Sequence, residues 1–320
     1  MRFRLFPRFR YASLVMANMI LLPAAVLFGC LSFAPSPASM ANQPALVPGT
    51  GVTIYAAGDI ADCYKYLPAA SGAGKTARLI AAGLERDAGA AVLSLGDHTY
   101  PDGLLKEFTE CYDPTWGRFK ERTYPAPGNH EYYTPEAIGY YRYFERAAGP
   151  DRRGYYSFNL GTWHIVSLNS NLRDADHRRQ VEWLKDDLAR HPSRCTLAYW
   201  HHPLFSSGGH GNNPHVRDLW QALEAAGADV VLVSHDHDYE RFARQDSSGR
   251  LDEQRGMRSF VVGTGGARLT RFLFRKANSE VTDNSTHGVL RMTLKETGYE
   301  WAFLPVAGGG FSDRGATLCH

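Results

Sequence analysis

Five short blocks in this sequence gather residues able to bind metal ions. They are Gly58-Asp59, Gly96-Asp97-x-x-Tyr100, Gly128-Asn129-His130-Glu131, His201-His202-Pro203 and His235-Asp236-His237. Together they offer carboxylates, imidazoles, a neutral amide oxygen and a phenol, the oxygen and nitrogen donors that hard and borderline cations prefer. One Gly-Asp or one His-x-His arises often by chance. Five blocks, each closing a short apolar run, point to a shared site. His235 and His237 are two apart, so on a strand they share a face. His201 and His202 are adjacent, so only one is expected to point inward.

The elements that must position these blocks are short apolar strands with helices between several of them. Residues 52–57 read as a buried strand ending at Asp59, and 91–95 as one ending at Asp97. Residues 123–127 lead into the Asn129 block. Residues 196–200 end at His201, and 229–233 end at His235. Residues 155–160 and 163–169 form a hairpin around Gly161-Thr162. Residues 75–86, 176–191 and 216–226 have helical periodicity; Leu79, Ile80 and Leu84 mark one face of the first. Residues 260–266, 288–294 and 299–304 complete the β-content. In α/β sheets, sites gather beyond the carboxyl ends of strands, so five strand ends are expected to converge. The β-content suggests two sheets packed face to face with helices outside.

The ordered blocks resemble the calcineurin-like metallophosphoesterases, whose pattern runs GD, GDxx(Y), GNH(D/E), H and HxH. Tyr100 and the run His235-Asp236-His237-Asp238-Tyr239-Glu240-Arg241 look like the purple acid phosphatase branch. The resemblance implies an α/β fold, a four-layer α/β/β/α sandwich of two mixed sheets with flanking helices. It also implies two metal ions, iron(III) with a divalent ion (iron, zinc or manganese). One metal is then held by Asp59, Asp97, Tyr100 and His237, and the other by Asp97, Asn129, His201 and His235. Asp97 bridges them, one carboxylate oxygen for each ion. The wider family has a histidine where this chain has Ala61, and the Tyr100 phenolate is expected to fill that gap. His130 takes a catalytic role, donating to the phosphate or protonating the leaving oxygen, with positioning of Asp97 or water as the alternative. His202 and His210 are placed near the substrate, His202 alternatively in packing and His210 alternatively on an exposed loop. Asp102, Glu131 and Asp236 are candidate acceptors for the ligand imidazoles. His98 is expected to face the pocket or solvent. Ser234 stands where the family often has glycine.

The first 41 residues read as a secretory signal: four arginines, no acid, then an apolar run from about residue 14 to 33. A membrane-anchoring helix is the alternative. Two processing sites compete, Ser39-Met40-Ala41 and the lipobox-like Leu27-Phe28-Gly29-Cys30, which would lipidate Cys30. Export to the periplasm or cell exterior follows, with membrane contact only through this segment. Residues 42–50 read as a linker, 51–305 as the catalytic domain and 306–320 as a tail. Without the leader, 31 basic residues face 33 acidic ones, a net charge of −2. Such a chain has no general attraction for nucleic acid, and its expected partner is a small phosphorylated substrate. Cys63, Cys111, Cys195 and Cys319 allow three pairings. Cys63–Cys111 with Cys195–Cys319 is favoured, because Cys63 and Cys111 follow strand-end loops near the site.

The expected activity is hydrolysis of phosphate monoesters by water activated at the metals. A phosphodiesterase or nucleotide hydrolase on the same core, and a non-catalytic metal-binding surface protein, are the alternatives. The sequence does not give the oligomeric state.

Overall fold

The computed structural model describes residues 50–320 apart from Lys65 and Leu273. The leader, Cys30 and both processing sites lie outside the described residues. The strands form two mixed sheets. The first contains β1 (Val52–Ala57), β2 (Ala91–Ser94), β3 (Thr123–Pro125), β11 (Gly288–Lys295), β12 (Gly298–Pro305) and β13 (Arg314–Leu318), in the order β13-β12-β11-β1-β2-β3. The second contains β4 (Tyr156–Leu160), β5 (Trp163–Ser167), β6 (Cys195–Tyr199), β7 (Val230–Val233), β8 (Tyr239–Phe242), β9 (Arg258–Val262) and β10 (Ser279–Asp283), in the order β10-β8-β9-β7-β6-β5-β4.

The central strands are continuous apolar runs because both their faces are covered. In β7, Val230 and Leu232 join the core shared by the two sheets, while Val231 and Val233 join the core beneath the helices of the second sheet. Those helices are α4 (Asp174–Arg190) and α5 (Arg217–Ala225); Leu184, Leu188, Leu219 and Leu223 supply their buried face. Helix α1 (Gly72–Arg86) covers the first sheet, where Gly83 lies so close to Tyr55 that a Cβ would stand 2.1 Å from its hydroxyl. The four-layer α/β/β/α sandwich is therefore as expected.

β1, β2 and β3 pair in parallel, as do β6 and β7. Parallel pairing sets carboxyl ends side by side, so the five metal-capable blocks all leave the sandwich at one edge.

Several elements differ from the sequence reading. Helix α1 begins three residues earlier than expected, capped by Ser71, whose Oγ accepts the Gly74 amide at 3.1 Å. Gly72 and Gly74 have low helix propensity, but Gly72 is needed there, since a Cβ would lie 2.2 Å from the Gly266 carbonyl. The short helices α2 (Leu105–Glu107) and α3 (Ile138–Phe144), and strands β8, β10 and β13, were not anticipated. Residues 306–320 are more than a tail: β13 pairs with β12, and Cys319 is bonded to Cys195. Both favoured disulfides form, Cys63–Cys111 with Cα atoms 5.8 Å apart and Cys195–Cys319 with 5.6 Å. Among the described residues, no helix is long and apolar enough to cross a membrane.

Candidate metal centre

The carboxyl ends of the two sheets are stitched together where the ligand blocks begin. The Gly58 amide donates to the Val262 carbonyl at 2.9 Å. The Ser234 hydroxyl donates to the Leu95 carbonyl at 2.6 Å. Asp59, Asp97 and His235 then turn into the left-handed region, with φ of 58°, 49° and 74°. Non-glycine residues held there cost on the order of 1–3 kcal/mol each, and such strain collects at functional sites. Gly128 lets the Asn129 block approach, since a Cβ would stand 2.1 Å from Asp97 Oδ1.

Two groups of donors meet around Asp97. In the first, the Tyr100 hydroxyl lies 2.9 Å from Asp59 Oδ1, 3.3 Å from Asp97 Oδ2 and 3.2 Å from His237 Nε2. In the second, His201 Nε2 lies 3.3 Å from Asp97 Oδ2, 3.1 Å from Asn129 Oδ1 and 3.1 Å from His235 Nδ1. Metal–ligand bonds of about 2.0–2.2 Å place adjacent donors roughly 3 Å apart, so this spacing fits a cation in each group. Asp97 joins the groups differently from the expectation of one oxygen per ion. Its Oδ2 faces both, while Oδ1 accepts the His130 amide at 2.9 Å.

The imidazoles are oriented by neutral acceptors rather than by carboxylates. His201 Nδ1 donates to the Leu95 carbonyl at 2.9 Å, and His237 Nδ1 to the Arg268 carbonyl at 2.8 Å. Both leave Nε2 directed at the cluster, where its lone pair becomes available to a cation once the ring is neutral. Asn129 Nδ2 donates to the Tyr133 hydroxyl at 3.1 Å, which turns its carbonyl oxygen toward His201.

Without cations, the charges in this cluster must balance one another. Burial opposes charge on His201, but Asp97 and Asp59 outweigh it and lift the imidazole to about 9. His237 is likewise lifted to about 9, burial being outweighed by Asp59. Burial and the neighbouring His201 push His235 down to about 2. Burial would raise Asp59, but His237 and His201 hold it well below the usual carboxylate range. Desolvation, then Asp59 and Asp97, keep the Tyr100 phenol protonated far above its ordinary value. A phenolate there therefore calls for a cation.

Asp59, Asp97, Tyr100, Asn129, His201, His235 and His237 thus lie together. His130 sits beside them, its Nε2 3.8 Å from Asp97 Oδ2 and its Nδ1 2.5 Å from the Pro101 carbonyl. The expectation that only one of His201 and His202 points inward fails. The chain leaves strand geometry after Tyr199, so alternation lapses, and His202 packs its ring 4.4 Å from that of His235. His202 is buried, with Nδ1 2.8 Å from Ser170 Oγ. His210 is exposed, and its ring lies 4.4 Å from that of His235.

The candidate acceptors do other work. Glu131 is buried and accepts three backbone amides: Gly128 at 2.6 Å, His98 at 2.8 Å and Asp97 at 2.9 Å. Asp236 accepts the Ser206 hydroxyl and the His210 amide. Asp102 is exposed. His98 faces neither pocket nor solvent; it is buried against Phe108, Tyr112, Tyr140 and Phe144, its Nε2 2.8 Å from Ser94 Oγ. Ser234, noted as a departure from glycine, has a structural use as the cross-sheet donor beside His201. The roles of Ser170 and of the Leu95 and Arg268 carbonyls had no signal in the sequence.

A family model described as calcineurin-like phosphoesterase matches residues 52–239, which hold all five blocks. The chain belongs to that family. Purple acid phosphatase 15 of Arabidopsis thaliana is 34% identical over 185 residues, covering 50% of this chain and 34% of that protein. Acid phosphatase type 7 of Homo sapiens is 28% identical over 185 residues, covering 47% and 40%. Among solved structures, purple acid phosphatase PPD1 from yellow lupin (Lupinus luteus) seeds superposes with a TM-score of 0.69 at 18% identity, covering 86% of this chain and 55% of that one. GAP50, an anchor in the inner membrane complex of Plasmodium, superposes with a TM-score of 0.68 at 14% identity, covering 85% and 90%. These two establish the fold. The chain spans about a third to a half of the length of the curated relatives first matched.

Proposed function

We propose that this chain is an exported two-metal phosphoesterase that hydrolyses phosphate monoesters. The observation that carries the reading is the meeting of seven donor side chains from both sheets in two groups sharing Asp97 Oδ2. Asp59, Asp97, Tyr100 and His237 would hold one ion, and Asp97, Asn129, His201 and His235 the other. The phenol favours iron(III) in the first position, with a divalent ion in the second. Bound there, the pair would acidify water and neutralise the phosphoryl oxygens.

The chain's own residues supply the rest. His130 holds its Nδ1 proton against the Pro101 carbonyl, so a proton carried on Nε2 is directed toward the cluster for delivery to the leaving oxygen. His202 and His210 flank the His235 ring and are assigned to phosphate contact. Two disulfides favour an oxidising compartment, in keeping with a leader that reads as a secretion signal.

The test is hydrolysis of phenyl phosphate and of a phenyl phosphodiester by the purified chain loaded with iron and zinc. Monoester turnover exceeding diester turnover is expected. Absence of turnover with iron, zinc and manganese alike would reject the reading.

A further inference from the structure

Among the described residues, seven large apolar side chains stand exposed: Tyr64, Tyr66, Leu67, Leu104, Tyr133, Leu251 and Phe274. All but Leu251 lie on segments that lead from, or brace, the metal centre. Tyr64, Tyr66 and Leu67 follow Asp59; Leu104 follows Tyr100; Tyr133 follows Asn129 and accepts its amide; Phe274 follows Arg268, whose carbonyl orients His237. Single exposed apolar residues are ordinary, but their recurrence on the segments that follow the ligands of one site is informative.

Three of them line a groove of about 540 Å³, a volume within the range of small-molecule sites. Tyr64 is 89% exposed, Tyr66 63% and Leu67 81%. Cys63 and Cys111 also line the groove, so a disulfide fixes one wall to the segment opposite. Tyr100, whose hydroxyl meets Asp59, Asp97 and His237, also lines it. Pro101 lines it as well, and its carbonyl lies 2.5 Å from His130 Nδ1, so the groove adjoins residues of the reacting centre. The charged side chains described along it are Glu107 and Glu110. Glu107 is held by the Asp102 and Leu104 amides at 3.2 and 3.0 Å.

We propose that this groove is the leaving-group subsite, and that it takes an uncharged planar ring stacked on Tyr64 and Tyr66. The inference rests on the phosphoesterase reading for what binds at the metals, but adds a specificity that the metal centre does not contain. Tyrosines give large, stiff contact area at little entropic cost. Among the described residues Glu110 is paired with Lys106 at 3.8 Å, and Glu107 leaves the wall net negative, which disfavours a leaving group that carries its own anionic charge.

The test is binding of non-hydrolysable phosphonates to the metal-loaded full chain, read by calorimetry. Phenylphosphonate is expected to bind about tenfold tighter than methylphosphonate, and 4-carboxyphenylphosphonate more weakly than phenylphosphonate. Tyr64→Ala and Tyr66→Ala should each shrink the phenyl-to-methyl ratio several-fold, Tyr66→Phe should restore it, and Leu251→Ala should leave it alone. In turnover the loss should fall on KM rather than on kcat. A phenyl-to-methyl ratio near one, or a ratio indifferent to both alanine variants, overturns the proposal. A clear phenyl preference in a protein that hydrolyses nothing would reject the phosphoesterase reading while supporting the groove. Active protein with no phenyl preference would do the reverse.

Discussion

Glu131→Gln is the substitution whose effect can be worked most fully from the structure. The side chain is buried, and its two oxygens accept three backbone amides from the turns that carry Asp97 and Asn129. Glutamine keeps the shape but replaces one acceptor oxygen with a donor. At least one buried amide then loses its partner, at about 1–3 kcal/mol. The remaining bonds lose their charge assistance, roughly 0.5–1 kcal/mol each. The sum is on the order of 2–5 kcal/mol, or several degrees to about 15 °C in melting temperature for a domain of this size. The damage should also reach function, because the two turns position donors for both ions. Thermal unfolding of the loaded protein should show the drop, and metal analysis after dialysis should show fewer than two ions retained. A loss below about 1 kcal/mol with both ions kept would refute the idea that Glu131 holds these turns in place.

Four further outcomes are expected. Tyr100→Phe should abolish any visible charge-transfer band of the iron-loaded protein and lower retention of one ion of the pair; a spectrum unchanged by the substitution would contradict the ligand role. Metal affinity should climb as pH rises from 6 toward 9, because His201 and His237 are lifted to about 9 in the free protein and must lose protons on binding; chelator competition at three pH values should show a steep slope, and a flat profile would count against it. His130→Ala should lower kcat by about a hundredfold or more for alkyl esters and far less for nitrophenyl esters, whose leaving groups need no proton; equal losses on both would remove the acid role. Opening the disulfide across 124 residues should cost about 5 kcal/mol in unfolding and opening that across 48 about 4, by loop-closure entropy; denaturant unfolding of the Cys195→Ala/Cys319→Ala and Cys63→Ala/Cys111→Ala proteins should give that order.

The parts of this structure legible in the sequence are those written as local runs. Strands β1 and β7 are short, apolar but for Thr53 in β1, and followed at once by polar blocks, so both their existence and their ends could be read. Glycines ahead of Asp59, Asp97 and Asn129 announced tight turns at the right places. The favoured disulfide pairs followed from where strand-end loops lay. Strands β8 and β10 were missed because they are short and half polar: Glu240 in β8 is buried through bonds to Ser207 and Ser279, which no local pattern reveals. The joint use of Asp97 Oδ2, the inward turn of His202 and the amide cradle of Glu131 all depend on how separate loops meet. Glu131 bonds residues 33 and 34 positions away as well as its near neighbour Gly128. Such contacts are tertiary by nature, and the sequence names the participants without assigning their partners.

Anomalous diffraction from crystals of the chain loaded with iron and zinc, collected at both absorption edges, reaches the account at its root. Two peaks separated by about 3.5–4 Å, with Asp97 between them and Tyr100 beside the iron, are predicted. A single peak, or peaks away from Asp59, Asn129, His201, His235 and His237, would contradict it.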